Sequence, residues 1–157
     1  MTQRRLSYRT CTDPGFPADV QPSIRCGSGV LVTTAASNLE YRMLTVSWVK
    51  STNNEWLSLE HVNLTNVATR GVYIIWHRGN PSRVVRVGQG VIADRLSAHR
   101  QDPKILAYAR LGLRVTWAAV PAAQRDGVER HLADTWNPLV GDAFPDVAPI
   151  AVNSPWG

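Results

Sequence analysis

Two short hydrophobic runs near the middle of the chain are the clearest structural pattern in this sequence. Residues 71–77 and residues 83–88 are rich in β-branched and aromatic side chains, which favour a pleated strand. Between them, residues 79–82 read Gly-Asn-Pro-Ser, a combination with strong turn chemistry. The pattern therefore predicts a β-hairpin.

After the hairpin the hydrophobic positions change to a helical period. Within residues 91–101, Ile92 and Leu96 share one side of the predicted helix, and Arg95 and His99 share another. Similar reasoning predicts three further elements: a short helix at residues 104–110, a strand at residues 113–120 and a helix at residues 122–136.

The order strand, strand, helix, helix, strand, helix predicts an α+β fold class. We expect a small three-stranded, mainly antiparallel sheet flanked by helices, in which Gly88 and Gly90 end the second strand. The expected core contains Ile74, Trp76 or Ile75, Val85, Val87, Leu96, Val115 and Leu132.

The residues before the hairpin have a different character. Residues 1–42 contain closely spaced prolines and glycines that interrupt any long element, so they are predicted to form an irregular or disordered extension. Residues 43–69 are a short lead-in of strand and turn, with a strand-like run at 43–49. Residues 70–157 form the main domain and end in an extended tail. Whether Met43 is the natural start is left open.

Charge and cysteine content narrow the class of protein. The net charge is +5, and from Arg70 onward eleven Lys/Arg face seven Asp/Glu, which suits a polyanionic partner. Cys11 and Cys26 cannot form a disulfide framework, and no Cys/His spacing indicates zinc. No apolar run follows the basic first residues, as a secretory signal requires, and none is long enough to span a membrane. We therefore expect a cytoplasmic protein.

Several short motifs in the hairpin and the helices carry a family resemblance. Gly71 and Tyr73 lie on the first strand and Gly88 on the second, Arg95 follows on a helix, and Glu129 lies on the last helix. In this order they resemble the GIY-YIG nucleases, which include homing endonucleases, some restriction enzymes and the incision subunit of bacterial nucleotide excision repair. The resemblance covers residues 70–140 and implies a metal-dependent endonuclease that hydrolyses DNA phosphodiester bonds.

The resemblance implies a catalytic role for three residues. Tyr73 would hydrogen-bond or deprotonate the attacking water, although a phenol needs a nearby cation to become basic near neutral pH. Arg95 would fork onto phosphate oxygens. His99, one turn after Arg95, would assist proton transfer. Without the resemblance, each is as readily explained as a packed strand tyrosine, a solvated helix arginine or a structural histidine.

Glu129 is the metal ligand that the resemblance implies. Mg²⁺ keeps several waters and commonly takes only one or two protein carboxylates, so one glutamate suffices for Mg²⁺ or another divalent cation. Asp126, Asp134 and Asp142 are competing carboxylates. Asn137 resembles the asparagine that follows the glutamate helix in the family and is a candidate for substrate binding, together with Gly88.

The main departure from the family pattern is Arg86. The second motif usually reads Tyr-Ile-Gly, whereas this chain has Arg-Val-Gly at residues 86–88. Three alternatives are open: Tyr73 acts alone, Arg86 contacts a phosphate of the substrate, or activity is impaired. The chain could accordingly be a degenerate member that binds nucleic acid without cutting. Besides the endonuclease and the degenerate binder, a third hypothesis for the function is a protein-interaction module with a tryptophan-rich surface, since the chain has six tryptophans.

Overall fold

The computed structural model describes residues 43–141 and 143–157. In this part of the chain, α-helices and β-strands combine in an α+β arrangement. The strands are β1 (Leu57–Ser58), β2 (Arg70–His77), β3 (Arg83–Val91) and β4 (Leu113–Ala119), and the helices are α1 (Ile92–His99), α2 (Pro103–Leu106) and α3 (Ala122–Trp136), with a 3₁₀ turn at Ala109–Leu111.

The sheet has four antiparallel strands in the order β1-β4-β2-β3. The three predicted strands are confirmed, but the predicted strand count was wrong by one. The fourth strand, β1, comes from the lead-in segment and pairs for two residues with the outer side of β4. The hydrophobic pattern did not assign this pairing because a two-residue strand is too short to show alternation.

Each face of the sheet buries its own hydrophobic cluster, because successive side chains on a strand point to opposite faces. Tyr73 and Ile75 of β2 belong to a cluster that includes Ile92 and Leu96 of α1. Val72, Ile74 and Trp76 belong to a second cluster that also contains residues of α3. Helices α1 and α3 therefore pack against opposite faces, and every residue of the expected core is buried.

Strand β3 forms one edge of the sheet, and only part of that edge is covered. The backbone amides of Leu139 and Val140, in the C-terminal tail, donate to the carbonyls of Val84 and Val85 at distances of 3.1 and 2.8 Å. No such pairing to the tail continues past Val85 among the described residues. The C-terminal half of β3 is therefore left accessible between α1 and α3.

Two elements differ in their boundaries from the sequence-based expectation. The second strand does not end at Gly88 and Gly90 but continues to Val91, because β2 pairs with it as far as Arg70. The helix expected at 104–110 is a four-residue helix followed by a separate 3₁₀ turn, which ends at the left-handed Gly112 (φ 74°).

The strand-like run at residues 43–49 does not join the sheet. Leu44 makes a single isolated parallel bridge to Val152, and the Val49 amide donates to the carbonyl of Trp117. The run thus packs against the C-terminal tail and the end of β4. Its β-branched residues favour an extended chain, but they do not select a strand partner.

Two further expectations concern the N-terminal residues and membrane-spanning helices. The irregular extension predicted for residues 1–42 lies outside them. Within them, no helix is long and apolar enough to cross a membrane.

Candidate active site

Apart from Gly71, the residues that carry the family resemblance meet at the accessible half of the β3 edge. There α1, on one face of the sheet, contributes Arg95 and His99, and α3, on the other face, contributes Glu129. They enclose a cavity of about 310 Å³. Its lining consists of Tyr73, Arg86, Gly88, Gln89, Gly90, Arg95, His99 and Glu129.

The position of the Tyr73 ring depends on the absence of a side chain at Gly88. The two residues are direct partners across β2 and β3. A Cβ atom at position 88 would lie 2.1 Å from the Tyr73 hydroxyl oxygen and 2.5 Å from Cζ. Such distances are far inside van der Waals contact, so the tyrosine ring occupies the space that any other residue at 88 would need.

We expect Gly88→Ala to destabilise the protein by about 1–3 kcal/mol, because the ring must leave its place in a packed site. Urea unfolding measures the change. The matched experiment is the same substitution in a Tyr73→Leu background, where the clash with the phenol is gone and the cost should largely disappear. An equal cost in both backgrounds would show that Gly88 acts through something other than Tyr73.

Tyr73 and His99 form a direct hydrogen bond between β2 and α1. The Tyr73 hydroxyl oxygen lies 2.6 Å from Nε2 of His99, and the two rings are tilted with centroids 5.4 Å apart. Burial raises the pKa of Tyr73, while the positive charges of Arg86 and Arg95 act in the opposite direction. The phenol is therefore protonated at neutral pH and can donate to an unprotonated Nε2.

His99 is neutral at physiological pH. Burial lowers its pKa to about 4, and the positive charge of Arg86 acts in the same direction, against a smaller opposing contribution from Asp102. A neutral imidazole beside a neutral phenol can accept the phenolic proton. An anion bound near Arg86 and Arg95 would offset their charges and make His99 more basic.

The His99 shift predicts a pH dependence of stability. Its folded-state pKa is about 4 against 6.5 when unfolded, so acid protonates the unfolded chain first. The stabilisation is full above the unfolded value and is lost as the pH falls toward the folded value. The pH dependence that Glu129 adds has the opposite sign. Burial raises the pKa of this carboxyl, so its contribution to stability is lost as the pH rises.

We therefore expect His99→Gln to reduce the loss of stability between about pH 7 and about pH 5 by about 1 kcal/mol, a value discounted for the partial exposure of the ring. Urea unfolding at both pH values measures it. An unchanged pH dependence in the variant would contradict the depressed pKa, and an NMR titration of the imidazole checks it independently.

Arg86 lies at the wall of the cavity because of a β-bulge. The pairing of β2 with β3 shifts between Ile75 and Trp76, so that Ile75 is opposite Arg86 and Val85 has no direct partner. A bulge of this kind re-aims a side chain. It leaves Val85 in the same hydrophobic cluster as Tyr73 and sets Arg86 diagonally across from Tyr73.

The C-terminal tail holds one end of the Arg86 guanidinium. Its Nη1 lies 3.4 Å from the carbonyl oxygen of Val140, and a Cβ at Gly141 (φ 138°) would lie 2.7 Å from the same nitrogen. Among the described residues, the buried Nε of Arg86 has no hydrogen-bond acceptor. A buried donor of a charged group without an acceptor is costly, and the Arg86 side chain lines the cavity, so an anionic ligand there would offset this cost.

Arg95 is the second cation at the cavity and is exposed. It lies over Gly90, whose φ of 130° is rare for residues other than glycine and whose added Cβ would lie 3.1 Å from Nε of Arg95. No hydrogen bond or ion pair to the Arg95 guanidinium is formed within the described residues. Its fork of donors is therefore available to a ligand.

Glu129 brings a carboxylate to the same cavity from α3. Only 9% of its surface is exposed, and burial raises its pKa against the opposing effects of Gln89, Arg86 and Arg95. Gln89 donates its side-chain amide to Asp126, one turn earlier on the helix. Asp126 is thereby engaged with β3, whereas Glu129 lines the cavity.

A divalent cation fits this arrangement only as a one-carboxylate site. In the part of the chain that the structure describes, no group of three or more His, Cys, Asp or Glu side chains could hold a metal. A buried carboxylate with a raised pKa nevertheless favours a cation as its partner. Mg²⁺ needs no more protein ligands than this when waters and substrate phosphates complete its shell.

The remaining candidates lie elsewhere. Asn137 is the left-handed C-terminal cap of α3 (φ 43°) and is not among the residues that line the cavity. Asp134 pairs with Arg130 on the exposed side of α3 at 2.9 Å. Asp142 lies outside the described residues.

Sequence reasoning missed two residues of the site. Gln89 lies between two glycines on an edge strand, and this position was the only available signal that its side chain reaches the cavity. Gly141, which leaves room for Arg86, lies in a proline-rich tail that carries no motif. Its role depends on the docking of the tail against β3, a long-range contact that no local pattern reveals.

Comparisons of the chain with protein-family models, with curated proteins and with solved structures gave no match. The resemblance to the GIY-YIG nucleases therefore rests on the sequence motifs alone.

Proposed function

We propose that this protein is a metal-dependent endonuclease of the GIY-YIG type that hydrolyses DNA phosphodiester bonds. The observation that carries the proposal is the meeting of a phenol–imidazole pair, two arginines and one buried carboxylate around a single cavity. These side chains come from β2, β3, α1 and α3, and their chemical types can supply the water activation and charge neutralisation that phosphodiester hydrolysis needs.

The proton chemistry follows from the Tyr73–His99 hydrogen bond. In the proposed reaction, the Tyr73 oxygen accepts a proton from the attacking water while its own proton passes to Nε2 of His99. A phenolate with a raised pKa therefore never has to accumulate. The bound phosphate favours the transfer because its charge offsets Arg86 and Arg95, which add to the effect of burial in lowering the pKa of His99.

The anion chemistry is assigned to the arginines. The exposed Arg95 guanidinium would form two hydrogen bonds to the scissile phosphate, and the Arg86 guanidinium, which also lines the cavity, would supply a second positive charge. Together they would neutralise charge that develops on the phosphate oxygens.

Glu129 would hold the divalent cation. When bound, Mg²⁺ would supply charge neutralisation at the phosphate and assist the leaving oxygen. The carboxylate must be ionised for this, and its raised pKa places an acid limit on metal-dependent activity.

Nicking of supercoiled plasmid DNA, with and without Mg²⁺, tests the proposal. We expect conversion to the open circle only with the metal, and loss of conversion when EDTA is added. Purified protein that binds DNA but leaves the plasmid intact with Mg²⁺ and Mn²⁺ would contradict the proposal.

A second candidate function is DNA binding without cleavage, and Arg86 favours it. A guanidinium where the family has tyrosine removes a phenol from the site and adds a positive charge that increases anion affinity. Tyrosine at position 86 would restore the family motif beside Tyr73.

The substitution Arg86→Tyr separates these two functions. If the natural chain cuts DNA and Arg86 clamps phosphate, we expect the variant to bind DNA more weakly and to lose about tenfold in nicking rate, since one charge-assisted contact is removed. If the natural chain is inert and the variant cuts, the binding function is correct. Nicking assays of both proteins, run beside a salt titration of DNA affinity, measure the outcome.

A further inference from the structure

Away from the cavity, four of the six tryptophans form one cluster at the hairpin end of the sheet. Trp156 packs edge-on against Trp76 and Trp136, with ring centroids 5.2 and 4.8 Å apart. Trp56 completes the cluster at 5.2 Å from Trp76. Trp156 remains 38% exposed, so the cluster is not enclosed in the core.

Basic side chains surround this cluster. A cavity of about 350 Å³ lies beside Trp156 and includes Arg83, and another of about 330 Å³ lies beside Trp56 and includes Arg78 and Arg114. The ammonium group of Lys50 is 4.3 Å from the centre of the Trp56 ring. Both cavities share Trp76.

Charge distinguishes this region from an ordinary hydrophobic patch. We define the tryptophan surface as the four clustered tryptophans together with Lys50, Arg78, Arg83 and Arg114. Four cations there face one carboxylate, that of Glu55. Within residues 43–141 and 143–157, the side chains of Arg78 and Arg83 form no ion pair. Their charges are therefore available to an anionic partner.

The tryptophan surface and the candidate active site are joined by one helix. Glu129 and Trp136 are seven residues apart on α3, so they lie on the same side of the helix at a separation of about 10 Å along its axis. Leu132 and Ala133, between them on this side of the helix, are buried, so one oligonucleotide can span the two sites only around this packed segment.

We infer that the tryptophan surface binds unpaired nucleotides of the DNA that enters the candidate active site. Trp156 is the exposed ring of the cluster, and Trp56 and Trp136 are half-buried beside it. An accessible aromatic ring stacks on unpaired bases regardless of sequence, and the neighbouring cations contact the phosphates between the bases. A duplex hides its base faces and would use only the charges. The inference rests on the proposed function in naming DNA with a single-stranded segment beside the cut as the preferred substrate.

The test measures binding apart from cleavage. Glu129→Gln protein without Mg²⁺ is titrated into fluorescent oligothymidine of about 12 nucleotides, into an abasic strand of equal charge and into a duplex. We expect oligothymidine to bind about tenfold tighter than the abasic strand, because only the former has bases to stack. Equal affinities for the two single strands would overturn the inference.

Substitutions locate the binding. Trp156→Ala should remove the preference for oligothymidine over the abasic strand, whereas Val147→Ala, an equally exposed hydrophobic residue outside the surface, should keep it. Arg83→Gln should weaken binding to both single strands and reduce the salt slope by about 0.7, and Arg110→Gln serves as its control. If Trp156→Ala does not fold, Arg83→Gln and Arg78→Gln still decide the question.

The outcomes separate this inference from the proposed function. A wild-type protein that fails to nick DNA but binds oligothymidine through Trp156 counts against the endonuclease alone. A protein that nicks DNA while Trp156→Ala and Arg83→Gln bind like their controls overturns the inference. In that case the alternative occupant of the tryptophan surface is a protein partner.

Discussion

Replacing Glu129 by Gln is expected to reduce Mg²⁺-dependent nicking by about 100-fold or more, which is the scale of losing one transition-state charge contact. The amide keeps the shape of the side chain but removes the only carboxylate that lines the cavity among the described residues. Because burial raises the pKa of this carboxyl, the charge is costly to the folded protein. Stability should therefore be unchanged or slightly higher.

Asp134→Asn is the matched control for this experiment. It also removes one carboxylate from α3, but on the exposed side of the helix, where Asp134 pairs with Arg130. Nicking of plasmid DNA over a range of Mg²⁺ concentrations compares the two variants with the wild type. If Glu129→Gln cuts as well as Asp134→Asn does, the metal assignment is wrong.

Replacing Arg95 by Lys is expected to lower nicking by about 10- to 100-fold although the charge is kept. Arg95 is exposed, so the substitution should leave the fold intact. A lysine ammonium is a point charge and cannot form two parallel hydrogen bonds to one phosphate. The loss should appear in the cleavage rate more than in DNA affinity, because the total charge of the protein does not change.

Arg110→Lys is the control for Arg95→Lys. Arg110 is also exposed and lies in the 3₁₀ turn, and it is not among the residues that line the cavity. Single-turnover nicking and equilibrium DNA binding are measured for both variants. Equal activity of the two proteins would exclude a bidentate role for Arg95.

Local patterns in the sequence were sufficient for most of the fold. The hairpin at Arg70–His77 and Arg83–Val91 and the last helix, Ala122–Trp136, follow from side-chain period and turn residues. Residues 56–59 were expected as a short strand or turn, but the pairing of β1 with β4 did not follow, because two residues carry no period. The detachment of residues 43–49 from the sheet also did not follow, since strand propensity does not specify a partner.

The residues of the candidate site were also predicted from the sequence only in part. The sequence indicated Tyr73, Arg95, His99 and Glu129 through the order of short motifs, and the fold brings all four to one cavity. Asn137, indicated by the same motifs, caps its helix outside that lining. Loose spacing after a helix cannot determine on which side of the helix end a residue lies.

The sequence by itself determined the chemical groups of this protein and the elements that carry them, because periodicity and turn chemistry are local properties. Only the tertiary structure decided which groups meet. The Tyr73–His99 hydrogen bond joins residues 26 positions apart, and the Arg86 guanidinium reaches the carbonyl of Val140. Such contacts depend on strand order, a bulge and the docking of the tail, which arise from packing of the whole chain.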